Sequence, residues 1–238
     1  MLATCCVLVQ NLTMATDSRI YEKKAEVVSL NLVMGQENTP RWEHVFNVPY
    51  LDLGLDGVTL SRTDLDRHHG ATRQVRKYQA GAWAGRIVRN ERQVSIATLE
   101  DLKAIADFLG ITEMIENDQG IDIFMSQAMA VNVVISGAID LKDYLGPGSK
   151  LMCGVPETGA IVDISESHLP CSKPATDISG KLDLDLSVIK KRFKEVAADK
   201  RGFVGSVYSP GRLALGDAVA IQLPIDHRLD RPNWQQPE

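Results

Sequence analysis

Short β-branched runs that end at turn residues dominate the chain and most constrain its fold. Residues 25–34 alternate largely between apolar and polar side chains, which is the period of two expected of a strand. Similar runs cover residues 129–136, 159–164, 202–208 and 218–223, and they are bounded by Gly, Pro, Asn or Asp. Frequent short strands of this kind are typical of a barrel or sandwich. We predict a fold that is mainly β with a few helices.

Two segments have helical patterns. Residues 98–109 begin with Thr98 and Asp101 at capping-box spacing and end before a glycine. Residues 187–200 place apolar side chains on one face. The lysine run in this segment, Lys190, Lys191 and Lys194, is interpreted as a solvated helix face. Residues 36–50 are predicted to form a long loop.

Composition excludes several classes of function. The chain has 238 residues, and its 26 Lys and Arg against 31 Asp and Glu leave a net charge of −5. This acidic balance and the 5% aromatic content argue against nucleic-acid binding. No apolar stretch reaches the roughly 18 residues of a membrane span. The N-terminus lacks the positive region of a secretory signal. We therefore expect a cytoplasmic protein without nucleic-acid or membrane partners.

Four cysteines must each be considered alone. Cys5 and Cys6 are adjacent, so on a strand they point to opposite faces. The sequence has no pair of Cys or His residues at zinc spacing, and we expect no zinc. Cys153 lies in an apolar run and is predicted to be buried. Cys171 stands between Pro170 and Pro174, which predicts a rigid extended or turn segment. The nearby Lys173 favours the thiolate, so function and simple burial both remain open for Cys171.

Two further segments carry polar groups in unusual density. Residues 64–70 contain Asp64, Asp66, Arg67, His68 and His69, and the basic residues Arg73 and Arg76 follow. His and Arg suit an anionic group such as a phosphate, but the composition alone favours a charged loop that is held by its own ion pairs. Arg201 and Gly202 begin a Gly-containing turn after a helix. This turn lacks the Gly-Lys-Ser/Thr of a P-loop, and the chain has no Gly-x-Ser-x-Gly elbow.

The order of these pieces resembles the MOSC domain family, which includes the C-terminal domain of molybdenum cofactor sulfurases and stand-alone bacterial proteins. The similar pieces follow one another in family order: the strand at 25–34, the Asp/His/His-Gly segment at 64–70, residues 92–95 before the helix, the Asn strand at 132–137, residues 145–148, Pro170-Cys171, Arg201-Gly202 with Gly205, and Gly211 with Leu215-Gly216-Asp217. The resemblance implies a MOSC-like β-barrel over residues 24–223. Residues 1–23 are then an N-terminal extension that adds a strand to the barrel, and residues 224–238 are a polar tail.

The resemblance also implies a site. Cys171 is its functional cysteine, either as a molybdenum ligand or as a sulfur carrier, with Asp66 and His69 handling protons. Basic and polar residues would hold the pterin and phosphate of a molybdenum cofactor; they are Arg67, His68, Arg73, Asn132, Lys173, Arg201 and Gly202. Relatives such as the mitochondrial amidoxime-reducing component reduce N-hydroxylated substrates. We do not extend to this chain the pyridoxal phosphate that is sometimes linked to the family.

Three functions therefore stand side by side. The first is a molybdenum-dependent oxidoreductase that reduces a small N-hydroxylated substrate with electrons from a partner protein. The second is a sulfur carrier that holds a persulfide on Cys171, received from a protein such as a cysteine desulfurase, for the assembly of a metal-sulfur cluster or cofactor. The third is a non-catalytic binding barrel. Because the first two functions involve chemical catalysis or group transfer, we expect catalytic activity.

Overall fold

The computed structural model describes residues 20–33, 44–59, 72–74, 87–116, 120–137, 146–155 and 158–223. The strands within them are β1 (Ile20–Val33), β2 (Val45–Asn47), β3 (Tyr50–Gly54), β4 (Gly57–Val58), β5 (Thr72–Gln74), β6 (Ile87–Arg89), β7 (Val94–Thr98), β8 (Val133–Ser136), β9 (Lys150–Cys153), β10 (Ala160–Ser167), β11 (Phe203–Ser209), β12 (Gly211–Ala214) and β13 (Ala218–Gln222). The helices are α1 (Leu99–Leu109), α2 (Thr112–Glu116), α3 (Ile121–Met129), α4 (Ser172–Leu182) and α5 (Leu186–Val196).

Seven strands close into a mixed β-barrel in the order β13-β9-β10-β11-β7-β8-β1, because β1 also pairs with β13. The long strand β1 makes this closure possible: register shifts in two of its ladders bend it, so that it pairs with β13, β8 and β2 along its length. The ladder between β7 and β8 is parallel, and the other barrel ladders are antiparallel. The predicted β-barrel is confirmed.

Two hydrophobic clusters stabilise the fold. Strand residues such as Leu30, Ile96 and Val162 fill the barrel interior. A second cluster lies outside the barrel, where α1, α3, α4 and α5 pack against the wall through residues such as Ile105 and Phe193. Both clusters consist mainly of buried aliphatic and aromatic side chains, which makes hydrophobic burial the main source of stability in each layer.

The connection between β7 and β8 explains why α1–α3 exist. Two parallel neighbouring strands need a crossover of a dozen or more residues, and helices usually supply it. In α1, Thr98 accepts a hydrogen bond from the Asp101 amide at 3.1 Å, and Gly110 ends the helix at φ 75°. The predicted helix over 98–109 and its start at Thr98 are confirmed.

Other element boundaries from the sequence were wrong. The apolar run at 129–136 is a strand only from Val133 onwards, because α3 extends to Met129 and ends with Ala130 at φ 51°. A helix that is buried around most of its circumference has no clear period, so its apolar run imitates a buried strand. The predicted loop 36–50 contains β2 and the first residue of β3. The predicted helix 187–200 is shorter, and α4 was not predicted at all.

Candidate functional site

Cys171 lies in a helical hairpin that is inserted between β10 and β11. The two strands pair up to their ends, where Ser167 is opposite Phe203. The chain therefore leaves the barrel after Ser167, forms α4 and α5, and returns beside its point of departure. The three residues between the helices make α4 and α5 antiparallel neighbours. This path places Cys171 and the C-terminal end of α5 at the same end of the hairpin, which is its base on the barrel.

Arg201 and Gly202, which are adjacent in the chain, close the base of the hairpin. The amide of His168 donates to the carbonyl of Gly202 at 2.8 Å, and the Arg201 guanidinium donates to the carbonyl of Leu169. Arg201 is buried, with 3% of its surface exposed, so its charge is directed at the backbone that leads into Cys171. A buried guanidinium is costly unless it is hydrogen-bonded. The segment before Cys171 is thus fixed to the segment that follows α5.

Gly202 attaches this base to the barrel wall. Its φ is +82°, and a Cβ atom there would lie 2.0 Å from the carbonyl oxygen of Ile96 in β7. Only a residue without a side chain fits such a close approach of two backbones. The family resemblance predicts that Arg201 and Gly202 bind a cofactor, whereas the structure places both at the base of the hairpin.

Cys171 is the N-cap residue of α4 and is exposed to solvent. Its backbone is extended, with φ −127° and ψ 168°, and its side chain makes no capping hydrogen bond. In contrast, the N-cap residues Thr98 of α1 and Asp185 of α5 both accept hydrogen bonds from helix amides. A helix N-terminus favours an anion, including a thiolate. The position of Cys171 therefore suits reactivity and contributes no capping bond to the helix.

The two prolines beside Cys171 do not bracket the single extended or turn segment that the sequence predicts. Pro170 precedes the N-cap, but Pro174 lies within the first turn of α4 and is buried. A first-turn proline lacks an amide that the helix leaves unpaired in any case, so it begins a helix without cost. The prediction of one rigid extended or turn segment between the two prolines was wrong. The pattern Cys-Ser-Lys-Pro was a signal for a helix start that the sequence analysis missed.

Lys173 forms an ion pair within α4. Its Nζ is 3.1 Å from Oδ1 of Asp177, one turn later, and the Asp177 carboxylate is buried. Lys173 is predicted from its proximity to favour the thiolate, and the family resemblance predicts that it binds a cofactor. The structure adds Asp177 to this neighbourhood, a residue that the sequence analysis did not single out. Spacing of four residues between Lys and Asp was the available signal.

Asn132 is completely buried where β1, β7 and β8 meet. Its Oδ1 accepts from the amide of Ser95 at 3.0 Å and from the Ser95 hydroxyl at 2.9 Å. Its Nδ2 donates to the carbonyl of Asn31 at 3.3 Å, and the Asn31 side chain donates to the carbonyl of Val131 at 2.9 Å. This buried network connects the start of the parallel ladder to β1. The structure does not bring Asn132 to the surface beside Cys171.

The remaining predicted site residues are not placed by the structure. Asp66, Arg67, His68 and His69 lie outside the described residues, and Arg73 belongs to β5 without a described side chain. Within the part of the chain that is described, no three His, Cys, Asp or Glu side chains converge as a metal site. The roles given above to Asp66, Arg67, His68, His69 and Arg73 therefore stay predictions.

The prediction that Cys153 is buried is confirmed. It lies in β9 with 2% of its surface exposed, paired with Ala160 and Val219 in neighbouring strands. Burial, together with the carboxylate of Asp217, raises the pKa of its thiol to about 12. A thiol in this state is protonated at neutral pH and is a poor nucleophile.

Comparison with known proteins identifies the family. The family model of the MOSC domain matches residues 66–220, which is more than half of the chain. The chain belongs to the MOSC domain family. The match runs from before β7 into β13, so it includes the helical hairpin and Cys171. The MOSC resemblance inferred from the sequence is thereby confirmed.

One relative of this MOSC domain supports the same fold. YuaD of Bacillus subtilis (strain 168), whose name proposes a role in metal-sulfur cluster biosynthesis, is 26% identical over 156 residues, covering 66% of this chain and 73% of YuaD. The crystal structure of Bacillus subtilis YuaD superposes with a TM-score of 0.65 at 23% identity, covering 87% of this chain and 99% of that one. YiiM from Geobacillus stearothermophilus is more distant, with a TM-score of 0.45 at 16% identity over 84% of this chain and 75% of its own.

The described residues do not assemble a complete site for a molybdenum cofactor. Cys171 offers an exposed soft ligand, which suits such a metal. However, the Arg201 guanidinium binds the Leu169 carbonyl, Lys173 binds Asp177, and Asn132 belongs to the buried network of β1, β7 and β8. Among the side chains that the structure places, these groups stabilise the protein itself and do not form a cradle for a phosphate.

None of the described helices is long and apolar enough to cross a membrane.

Proposed function

We propose that this MOSC domain carries sulfur on Cys171 as a persulfide during the assembly of metal-sulfur clusters or related cofactors. One observation carries the proposal: an exposed thiol occupies the N-cap of α4 without forming a capping bond. Ser, Thr, Asp and Asn are the residues that stabilise a helix at this position. Cysteine there is explained by its chemistry and not by its contribution to the fold.

The transfer needs no external oxidant. The Cys171 thiolate attacks the outer sulfur of a donor persulfide, the sulfur–sulfur bond of the donor breaks, and the donor leaves as its own thiolate. Cys171 gains the outer sulfur together with its proton, and the persulfide can pass it on in the same way. The positive end of the α4 dipole stabilises the thiolate before attack. A protein such as a cysteine desulfurase is the class of donor that this chemistry requires.

Two further points support the proposal. The related protein YuaD has a name that proposes metal-sulfur cluster biosynthesis, and it is 26% identical to this chain over the aligned region. The carrier also requires a thiol that stays reduced between cycles. We therefore include a location in the reducing cytoplasm in the proposal.

The test is persulfide loading. The protein is incubated with glutathione persulfide, and its peptides are mapped by mass spectrometry with and without a reductant. We expect Cys171 to gain one sulfur atom that dithiothreitol removes, and Cys171→Ser to gain none at this peptide. Cys153→Ser is the matched control and should load normally. If wild-type Cys171 remains unmodified under conditions that load a small thiol, the carrier proposal is wrong.

A second candidate follows from family membership: a molybdenum cofactor bound through Cys171, which would reduce N-hydroxylated substrates with electrons from a partner protein. When bound, such a cofactor would supply oxygen-atom transfer. Elemental analysis separates the two candidates. Molybdenum near one atom per chain in wild-type protein from a cofactor-producing host, and none in Cys171→Ala, would favour the cofactor. A thiol that neither loads sulfur nor retains metal would instead favour a non-catalytic binding barrel.

A further inference from the structure

Helix α5 presents an exposed row of lysines at the end of the hairpin that holds Cys171. Lys190 and Lys194 are one turn apart, and Lys191 lies beside Lys194 on the same side of the helix. All three are exposed, whereas Ile189 and Phe193 on the opposite face are buried. We define the lysine face as Lys190, Lys191 and Lys194.

Three other cations of the hairpin region, Lys173, Arg192 and Lys200, have structural partners. Lys173 pairs with Asp177, and Lys200 reaches Asp101 of α1 at 3.4 Å. Arg192 donates to the carbonyls of Phe108 and Leu109 at the end of α1, whose last turn has no basic residue of its own. In the described part of the chain, no carboxylate forms an ion pair with a residue of the lysine face.

This arrangement is unfavourable for an isolated helix. Like charges three and four residues apart repel and lower helix stability. The contrast with the rest of the molecule is sharp, since α5 has four cationic residues and one acidic residue, Glu195, in a chain with a net charge of −5. The sequence alone favours a solvated face. The structure adds that α5 ends at the base of the hairpin, where Cys171 is the N-cap residue of α4.

The position of the face follows from the closed base of the hairpin. Lys194 is in the last turn of α5, and the chain then runs to Arg201 and Gly202, which hold Leu169 and His168. Cys171 begins α4 two residues after Leu169. A surface that contacts the C-terminal half of α5 therefore meets the end of the hairpin that holds Cys171. Leu169 is 65% exposed there and offers apolar area to the same contact.

We propose that the lysine face docks an acidic surface of the protein that donates sulfur to Cys171. The inference rests on the proposed carrier function. A protein partner fits better than a nucleic acid or an anionic membrane, because a local acidic patch meets only the lysine face. An extended polyanion would also face the remaining, acidic surface of the chain. Charge complementarity of this kind mainly accelerates and orients encounter.

The experiment compares two double variants with equal changes in charge. Lys190→Glu with Lys194→Glu reverses the lysine face. Lys103→Glu with Lys181→Glu reverses two exposed lysines, on α1 and at the far end of α4, and each pair includes one lysine from the last turn of a helix. The donor is a purified cysteine desulfurase charged with ³⁵S-labelled cysteine. The rate of label transfer to Cys171 is measured at low and high salt, and glutathione persulfide serves as a donor too small to contact the face.

At low salt we expect transfer from the desulfurase to fall at least about tenfold in the lysine-face variant and to stay within about twofold of wild type in the control. The difference should shrink as salt increases. Replacing Lys190 and Lys194 by Gln should give an intermediate loss. Loading by glutathione persulfide should be nearly unchanged in all variants, which also shows that the site is intact.

The outcomes separate the two proposals. Equal desulfurase rates in both double variants, with normal loading by glutathione persulfide, would overturn the docking surface and leave the carrier function in place. The docking surface is likewise overturned if the desulfurase does not load the wild-type protein although glutathione persulfide does. If neither donor loads Cys171, the carrier function fails and the docking surface fails with it.

Discussion

The two cysteines of the described structure occupy opposite environments within one small domain. Cys153 lies in a barrel strand, pairs on both sides with other strands and is buried. Cys171 lies where a helix begins, at the base of an insertion, and is exposed. The same side chain is thus a packing group at one position and a candidate nucleophile at the other. Burial, backbone amides and nearby charge make this difference, because they decide whether the thiolate can form.

The largest expected effect is a difference in thiol reactivity. Native protein is treated with iodoacetamide at pH 8, and the modified peptides are quantified over time by mass spectrometry. Cys171 should react at least about 100-fold faster than Cys153, because burial of Cys153 excludes the reagent and suppresses formation of its thiolate. Unfolding in guanidinium should make the two rates similar. Comparable rates in the folded protein would show that the two environments do not differ as described.

A second prediction concerns the glycine that joins the two regions. Gly202→Ala should lower the free energy of unfolding by about 2–5 kcal/mol, since it combines a positive φ with a clash against the backbone of β7. Gly110→Ala is the matched control: its φ is +75°, but no atom lies within 4 Å of the new Cβ, so only about 1–2 kcal/mol should be lost. Urea denaturation measures both. Equal losses would mean that the contact with Ile96 is not tight.

The third prediction uses the raised pKa of Cys153. An unfolded thiol ionises near pH 9, whereas the buried one ionises at about 12. The unfolded state therefore loses its proton first, and the stability that the buried thiol provides is complete below pH 9 and declines as pH rises towards 12. About 2 kcal/mol should be lost by pH 10.5 relative to Cys153→Ala. Parallel denaturation curves of the two proteins from pH 8 to 10.5 provide the measurement; a constant difference between them would contradict the assignment.

The smallest expected effect has an unusual sign. Cys171→Ser should raise the free energy of unfolding by about 0.5–1 kcal/mol, because serine can cap the first turn of α4 where cysteine forms no capping bond. Thr98→Ala, which removes the capping bond of α1, should lower it by about 1 kcal/mol. Thermal unfolding of both variants tests the pair. A destabilised Cys171→Ser protein would indicate that the thiol has a structural role.

Sequence reasoning succeeded where a local rule determines the structure. Thr98, Asp101 and Gly110 define α1 by capping chemistry, and the alternation in residues 25–34 marks the core of β1. It failed where a long-range partner decides. The run at 129–136 begins with the last residue of α3 and not with a strand, because α3 packs between the barrel and the other helices. Helix α4 was missed because Gly180 lowers its intrinsic propensity, and packing of Ala175 and Ile178 compensates.

The candidate site was only partly predictable for the same reason. The position of Cys171 in an ordered series of motifs was visible in the sequence. That Arg201 would bind the carbonyl of Leu169, and that Asn132 would be enclosed with Ser95, depends on residues far apart in the chain that only the fold brings together. Residue type indicated polarity at each position, but the fold determined whether that polarity is directed at a ligand or at the protein.

The paired ends of the insertion have an evolutionary consequence. Because Ser167 and Phe203 are opposite each other, the hairpin can lengthen, shorten or change its surface without shifting the register of β10 and β11. Mutations in α4 and α5 can therefore alter what approaches Cys171 while the barrel ladders stay in place. A domain built in this way can acquire new partners and substrates through one segment, which is a simple route to functional diversity on a constant scaffold.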